Sequence, residues 1–308
     1  MGNADGSVPP VRILSTHRLP GPAWDELGDV EVGEVDTRRD DIEVLIVANE
    51  TVDEAVLDLL PSLRLVACFA VGYDQIDLAA CRARGIAVTN TPGVLDAATA
   101  NLAVGLMLAA RRGIVEGDAL VRDGRWTTPW SKGPFVRRDV SGATLGVVGL
   151  GRIGGAVAKR ARAFDMRVVY HQRTRVDVAE LEYRELDDLL RESDVVSLHV
   201  PLNSETAGLL SRERLSLLRD GATLVNTARG GIVDEQALVD ELVSGRITAG
   251  LDVFVHEPSV PEALLGLPNV VVTPHIASAT VETRAAMTRV VVDNVLAAAR
   301  GEPLPNPV

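Results

Sequence analysis

The chain has 308 residues, 46% of them hydrophobic and 24% charged, which is the usage of an ordinary globular protein and enough length for two domains. A formal net charge of −12 argues against nucleic acid as a general partner and means that any anionic small substrate has to be met by individually placed arginines. The chain has no apolar run as long as a membrane span and no basic leader ahead of an apolar segment, so a cytoplasmic protein without a membrane partner is expected.

Met1 to Pro10, rich in Gly, Ser and Pro, is expected to fray. From residue 11 short β-branched runs alternate with helix-length segments: Val11 to Ser15, Val44 to Ala48, Leu63 to Ala70 and Ile86 to Thr89. Runs this apolar read as parallel strands buried on both faces. Cys68 and Cys81 form neither a CxxC motif nor a metal pair, so they read as reduced core thiols, and no metal site is expected.

A helix is predicted over Ala97 to Arg112, after which Gly113 to Ser141 loses clear periodicity. That segment holds Trp126, Pro129, Trp130, Pro134 and Phe135, and its aromatics are expected to find burial on a second copy, a substrate wall or their own domain. A second alternation follows, with strands at Thr144 to Gly149, Arg167 to Tyr170, Val195 to Val200, Thr223 to Asn226, Thr248 to Val253 and Val270 to Thr273. Six strands with intervening helices match a full dinucleotide-binding sheet, and the chain closes on a helix from Val281 to Ala299.

Gly149-Leu150-Gly151-Arg152-Ile153-Gly154 satisfies GxGxxG, and it stands between an apolar strand and a helical stripe of Ile153, Val157, Ala161 and Phe164. That setting brings backbone N–H groups to a pyrophosphate at a helix N-terminus. The next strand runs into His171-Gln172-Arg173-Thr174-Arg175 with no carboxylate to accept from a ribose 2′-hydroxyl. Gln172 removes a charge that would repel a 2′-phosphate, and Arg173 and Arg175 are suited to bind one, so NADP(H) is expected ahead of NAD(H).

Three further pieces stand at predicted strand ends: Asn226-Thr227-Ala228-Arg229-Gly230-Gly231, Leu251-Asp252-Val253-Phe254-Val255-His256-Glu257-Pro258 and Thr273-Pro274-His275-Ile276-Ala277. They bring a cation, an acid and an imidazole to the side of an α/β sheet where ligands bind. His17 reads as a loop residue, and His256 as pointing away from the Glu257 chemistry.

With Ala70-Val71-Gly72-Tyr73-Asp74 and Thr89-Asn90-Thr91-Pro92-Gly93-Val94 added, these motifs and their order resemble the D-isomer-specific 2-hydroxyacid dehydrogenase family, nearest its short glyoxylate/hydroxypyruvate reductase branch. The resemblance runs from about Val11 to Gly301. It implies an α/β fold of two Rossmann-like domains with doubly wound parallel sheets. The substrate domain, flavodoxin-like, is implied to be discontinuous over 1–93 and 278–308, around a dinucleotide domain over 94–277. Hinges are expected near Pro92 to Asp96 and Ile276 to Thr280.

The resemblance gives Arg229 to the substrate carboxylate and carbonyl, Glu257 to the partner acid, His275 to the proton donor, and the N–H groups of Val71 and Gly72 to the carboxylate. A carboxylate beside an imidazole favours its charged form, and a guanidinium fork suits a planar 2-keto acid. The resemblance also places Thr99, Arg152, Ile153, Pro201, Thr206, Thr227, Ala228, Asp252, His275 and Ala277 near the cofactor, and implies a homodimer through the dinucleotide domain and the 113–141 segment.

Asn101 and Gln172 stand where relatives often carry acids, and Val71 where phosphite dehydrogenases have a basic residue. Two other readings are carried. One is an NAD-using phosphoglycerate dehydrogenase-like enzyme drawing phosphate-binding arginines from Arg82, Arg84 or the Trp126 segment; the other is a dinucleotide-sensing corepressor-like binding protein.

Overall fold

The computed structural model describes residues 11–133, 135–176 and 178–308, so the expected fraying of Met1 to Pro10 and the position of Pro134 lie outside the described residues. Two units emerge, one made of the chain through Leu95 together with Ser278–Val308, the other of Asp96–Ala277.

The first unit carries β1 (Ile13–Ser15), β2 (Val30–Val32), β3 (Val44–Val47), β4 (Leu65–Cys68) and β5 (Ala87–Thr89), with helices α1 (Glu54–Leu59) and α2 (Leu78–Ala83) between them. All pairings are parallel, in the order β2-β1-β3-β4-β5. Every residue of β3 and β4 is buried, which explains their unbroken apolar runs. Asp53 and Asp77 cap α1 and α2 by accepting from Val56 N and Ala80 N. The C-terminal helix Val281–Arg300 turns Met287, Val291, Val292 and Val295 inward, and Thr288 Oγ1 donates to Pro20 O at 2.6 Å. Cys68 and Cys81 are buried and not joined in a disulfide. The edge strand β2 was not anticipated: it is three residues long and leaves Val32 52% exposed, so no apolar run announces it.

The second unit opens with α3 (Asp96–Arg112) and α4 (Ile114–Arg122), followed by β6 (Thr144–Val148), α5 (Arg152–Arg162), β7 (Arg167–His171), β8 (Glu182–Tyr183) and α6 (Leu186–Glu192). It continues through β9 (Val195–Leu198), α7 (Arg212–Ser216), β10 (Thr223–Asn226), α8 (Glu235–Val243), β11 (Thr248–Leu251), α9 (Glu262–Leu265) and β12 (Val270–Val272). The sheet has seven parallel strands rather than six, in the order β12-β11-β10-β9-β6-β7-β8. The extra one, β8, is a two-residue edge strand with no apolar run of its own.

Alternation along β6 sends Val147 to a core shared with α3 and α5, and Val148 to a core shared with α6, α7 and α8. Val157 and Ala161 of α5 are buried as the stripe requires, whereas Phe164 lies past the helix end and is 37% exposed.

Two expectations for 113–141 are corrected. The segment contains a helix, α4, none of whose residues is buried, so its apolar residues never register as a core face. Trp126 and Trp130 are 60% and 87% exposed and do not pack on their own unit. Among the described residues no helix is long and apolar enough to cross a membrane, and no cluster of His, Cys, Asp or Glu is arranged to hold a metal.

Candidate active site

In the second unit, strand order reverses direction between β6 and β9, and the loops at the carboxyl ends of these strands frame a crevice where open α/β sheets take their ligands. Gly149 follows β6 and donates its N–H to His171 O at 2.8 Å. Gly151 is the N-cap of α5 with no side-chain cap, which leaves the first N–H groups of the helix to an outside acceptor, and a Cβ on Gly151 would meet nothing within 4 Å. Gly154, one turn on, is so close to the incoming strand that a Cβ would stand 2.0 Å from Gly149 O.

Arg152 and Ile153 lie in the first turn of α5, Arg152 Nε being 3.8 Å from Asp96 Oδ2. Thr99 is buried on α3. Thr227 Oγ1, after β10, is buried without a hydrogen-bond partner. An uncapped helix start, open space over Gly151 and an orphaned buried hydroxyl fit a bound dinucleotide.

After β7, Gln172 Nε2 donates to Thr174 O at 2.6 Å, Arg173 Nη1 meets Glu205 Oε2 at 2.5 Å, and the Arg175 guanidinium lies 5.6 Å from the Tyr183 ring centroid. Arg173 is thus matched by an acid that the sequence, 32 residues away, does not reveal. Following β9, Thr206 Oγ1 donates to Pro201 O at 2.5 Å and accepts from Asn203 N, so this hydroxyl closes its own loop.

His199, at the end of the same strand, sits with Nε2 2.8 Å from Ser197 Oγ, and burial pushes its pKa down to about 4. The unfolded chain therefore binds a proton that the fold refuses between pH 6.5 and 4, and stability is expected to fall across that window as pH drops, by on the order of 2–3 kcal/mol. Urea titrations of the wild type and His199→Gln check it: the variant should lose this part of the slope, and parallel slopes would refute the assignment.

The chemistry-bearing side chains gather beyond β10, β11 and β12. Asn226, buried at the end of β10, accepts from Ala228 N and donates to Arg229 O at 2.9 Å, bending the chain so that Arg229 leaves the turn half-buried with Nη1 on Ala228 O. Gly230 is pressed against the β11 loop: a Cβ would fall 2.1 Å from Phe254 C. That contact binds the arginine turn to the stretch that carries Glu257.

Glu257 Oε1 accepts from Phe254 N at 3.1 Å, and Oε2 lies 2.7 Å from His275 Nδ1. Burial works to raise the Glu257 pKa, but the His275 hydrogen bond, the Phe254 N–H and the charges of His275 and Arg229 together hold it below the ordinary carboxylate range. With Nδ1 engaged, Nε2 is the ring nitrogen left to hold or take a proton. His256 is exposed and takes no part in this pair.

His275 has φ of 53°, a left-handed backbone that only a firm surround maintains in a residue with a Cβ. Asp252 provides that surround. Fully buried after β11, it accepts from Thr273 Oγ1 at 2.6 Å and from the N–H groups of Ile276 and Ala277 at 2.8 Å. Asp252, which the resemblance places near the cofactor, has both oxygens engaged by the loop that presents the imidazole. Neither Asn226 nor Asp252 carries a local signal of this task, because their partners are set by the fold.

In the first unit, the chain between β4 and α2 turns its carbonyls inward. Ala70 O accepts from Thr91 N at 2.9 Å and Val71 O from Asn90 Nδ2 at 2.8 Å, while Cys68 Sγ lies 3.6 Å from Gly72 O. Among the described hydrogen bonds the N–H groups of Val71 and Gly72 donate to nothing, leaving two adjacent donors for an anion.

A nicotinamide crevice at a switch point, with an acid-imidazole pair and an arginine on neighbouring strand ends, defines a dehydrogenase acting on a hydroxyl-bearing carbon. Residues 104–277 match the family model described as "D-isomer specific 2-hydroxyacid dehydrogenase, NAD binding domain", and the chain belongs to that family. It is an oxidoreductase acting on CH–OH donors with a nicotinamide dinucleotide.

Among named relatives, it is similar to the glyoxylate reductase of Thermococcus litoralis, 47% identical over 271 residues that cover 85% of this chain and 82% of that one. The glyoxylate reductase of Pyrococcus horikoshii is 50% identical over 262 residues, 82% and 78% of the two chains. Among solved structures it resembles the NADPH-dependent glyoxylate/hydroxypyruvate reductase of Sinorhizobium meliloti in complex with NADP and malonate. That match has a TM-score of 0.88 and 38% identity, over 98% of this chain and 97% of that one.

The fold is the expected α/β pair of parallel sheets, and Asn101, the departure noted in the sequence, accepts from Arg160 Nε at 2.7 Å and so joins α3 to α5.

Proposed function

We propose that this protein reduces small 2-oxo acids, first among them glyoxylate to glycolate and hydroxypyruvate to D-glycerate, the D-2-hydroxy acid, with NADP(H) preferred over NAD(H). The carrying observation is the 2.7 Å pair between Glu257 and His275, on the loop next to Arg229. Gly149, Gly151, Arg152, Ile153, Gly154, Thr99, Pro201, Thr206, Thr227, Ala228 and Ala277 would hold the dinucleotide, which when bound would supply or accept the hydride.

His275 gives its proton to the ketone oxygen in reduction and takes it back in oxidation, with Glu257 holding the ring by Nδ1. Arg229 grips the carboxylate and carbonyl, where a guanidinium fork offsets the negative charge that develops on oxygen. The N–H groups of Val71 and Gly72 are offered to the carboxylate. This assigns substrate recognition to the first unit (notionally 1–93 and 278–308) and dinucleotide binding to the second (94–277).

The NADP(H) preference rests on Gln172, Arg173 and Arg175, with Arg173 exchanging Glu205 for the 2′-phosphate. The exposed Ile114, Val115, Val121, Trp126, Trp130 and Val136 favour a cytoplasmic homodimer joined through this segment of the second unit.

Steady-state kinetics on a 2-keto-acid panel with both cofactors tests the reading. We expect kcat/KM at least ~10-fold higher with NADPH, in line with the ~1.5–3 kcal/mol of a charge-assisted hydrogen bond. Equal or better efficiency with NADH would refute the cofactor preference, and a flat trace on every acid would favour a dinucleotide sensor.

A further inference from the structure

The first unit's own strand order, β2-β1-β3-β4-β5, reverses between β1 and β3, so its carboxyl-end loops also frame a ligand crevice. Two side chains that the reaction above does not use, His17 and Arg284, flank Phe69, which is buried two residues ahead of Val71, and Glu50 stands beside His17. The His17 ring lies edge-on to Phe69 at 6.0 Å, and Glu50 Oε1 is 4.0 Å from His17 Nδ1. The Arg284 guanidinium sits 5.5 Å from the Phe69 ring centroid.

Arg284 is the unusual member. It is half-buried, yet among the described residues no carboxylate lies within ion-pair distance and no side-chain hydrogen bond is made. Burial lowers its pKa with no neighbouring charge offsetting the effect. It also stands in the first turn of the C-terminal helix, where the helix dipole disfavours a cation. The α1–α2 arginine Arg84, by contrast, is paired with Asp58 at 2.8 Å. A half-buried guanidinium with no carboxylate partner, held near an aromatic ring, is poor for stability and well suited to an incoming acceptor.

We propose that Arg284 is a specificity-determining residue that hydrogen-bonds an acceptor on the substrate carbon beyond the ketone, a hydroxyl or a second carboxylate. This rests on the functional reading above, in which the N–H groups of Val71 and Gly72 take the first carboxylate. Glyoxylate has no such carbon and leaves Arg284 unmatched; hydroxypyruvate satisfies it.

The test uses Arg284→Met, which keeps the stem over Phe69, and Arg284→Lys, which keeps the charge without the fork. In Arg284→Met, kcat/KM for hydroxypyruvate should fall ~10- to 100-fold, mostly through KM, while glyoxylate stays within about threefold; Arg284→Lys should fall between. A second readout needs no turnover: with NADP⁺ present, D-glycerate should raise the wild-type Tm more than glycolate does, and the difference should vanish in Arg284→Met. Equal losses on both keto acids, or a D-glycerate advantage that survives the substitution, would overturn the inference. A wild type that reduces no 2-keto acid would instead overturn the functional reading, and the Tm comparison would still decide the role of Arg284.

Discussion

Replacing His275 with alanine is expected to lower kcat for 2-keto-acid reduction by ~10²- to 10⁴-fold while leaving dinucleotide affinity within a few-fold of wild type. The imidazole stands at the carboxyl end of β12 with Nδ1 on Glu257 2.7 Å away, so its removal takes away the proposed proton donor and strands a carboxylate. The glycine turn and the start of α5 are built from other residues, which is why binding should survive. Parallel measurement of kcat and of NADPH fluorescence on binding separates the two effects, and unchanged turnover would exclude His275 as the donor.

Glu257→Gln sharpens the same result. Because its interactions hold Glu257 below the ordinary carboxylate range, the wild-type pair contributes fully above that range and is lost as pH falls through the lowered value. The amide variant removes that acid limb.

Gly230→Ala is expected to be nearly as damaging, for a mechanical reason. The added methyl would be driven into the backbone at Phe254 and Val255, 2.1 and 2.4 Å away, and no side chain is available to yield. Either the arginine turn or the Glu257 stretch must move, and displacement of a positioned group by about 1 Å costs on the order of 10² in rate. Overpacking should also take about 1–3 kcal/mol from stability. A variant that keeps wild-type kcat/KM would show that the two loops need not be held together.

The strands were legible because parallel sheets covered on both faces leave uninterrupted β-branched runs, and Thr223–Asn226 was placed to the residue. Several other runs were read too long. Phe69 after β4 and Asp252 and Val253 after β11 are as buried as the strands they follow, and the N–H groups of Phe69 and Asp252 still donate to the neighbouring strands' Val47 O and Asn226 O, so burial runs past the strand ends. Helix α4 was invisible because its apolar residues face outward within this chain.

The candidate site is legible where chemistry calls for a motif, as in the glycines and the segments that carry Arg229, Glu257 and His275. It was not readable where the work is done by contacts between distant positions. Asn226 shaping the Arg229 turn, Arg173 on Glu205, and the carbonyls of residues 70–72 gathered by Asn90, Thr91 and Cys68 all depend on register that no local pattern encodes.

The grip of Asp252 on Ile276 and Ala277 also reaches the last residues of the second unit. The polypeptide leaves the second unit at Ala277 and enters the first at Ser278. Both N–H groups up to that border are tied to a buried carboxylate, and beyond it Thr280 is held as the N-cap of the next helix, accepting from Thr283 N at 3.1 Å. The imidazole and its Glu257 partner are therefore both anchored by residues of the second unit alone.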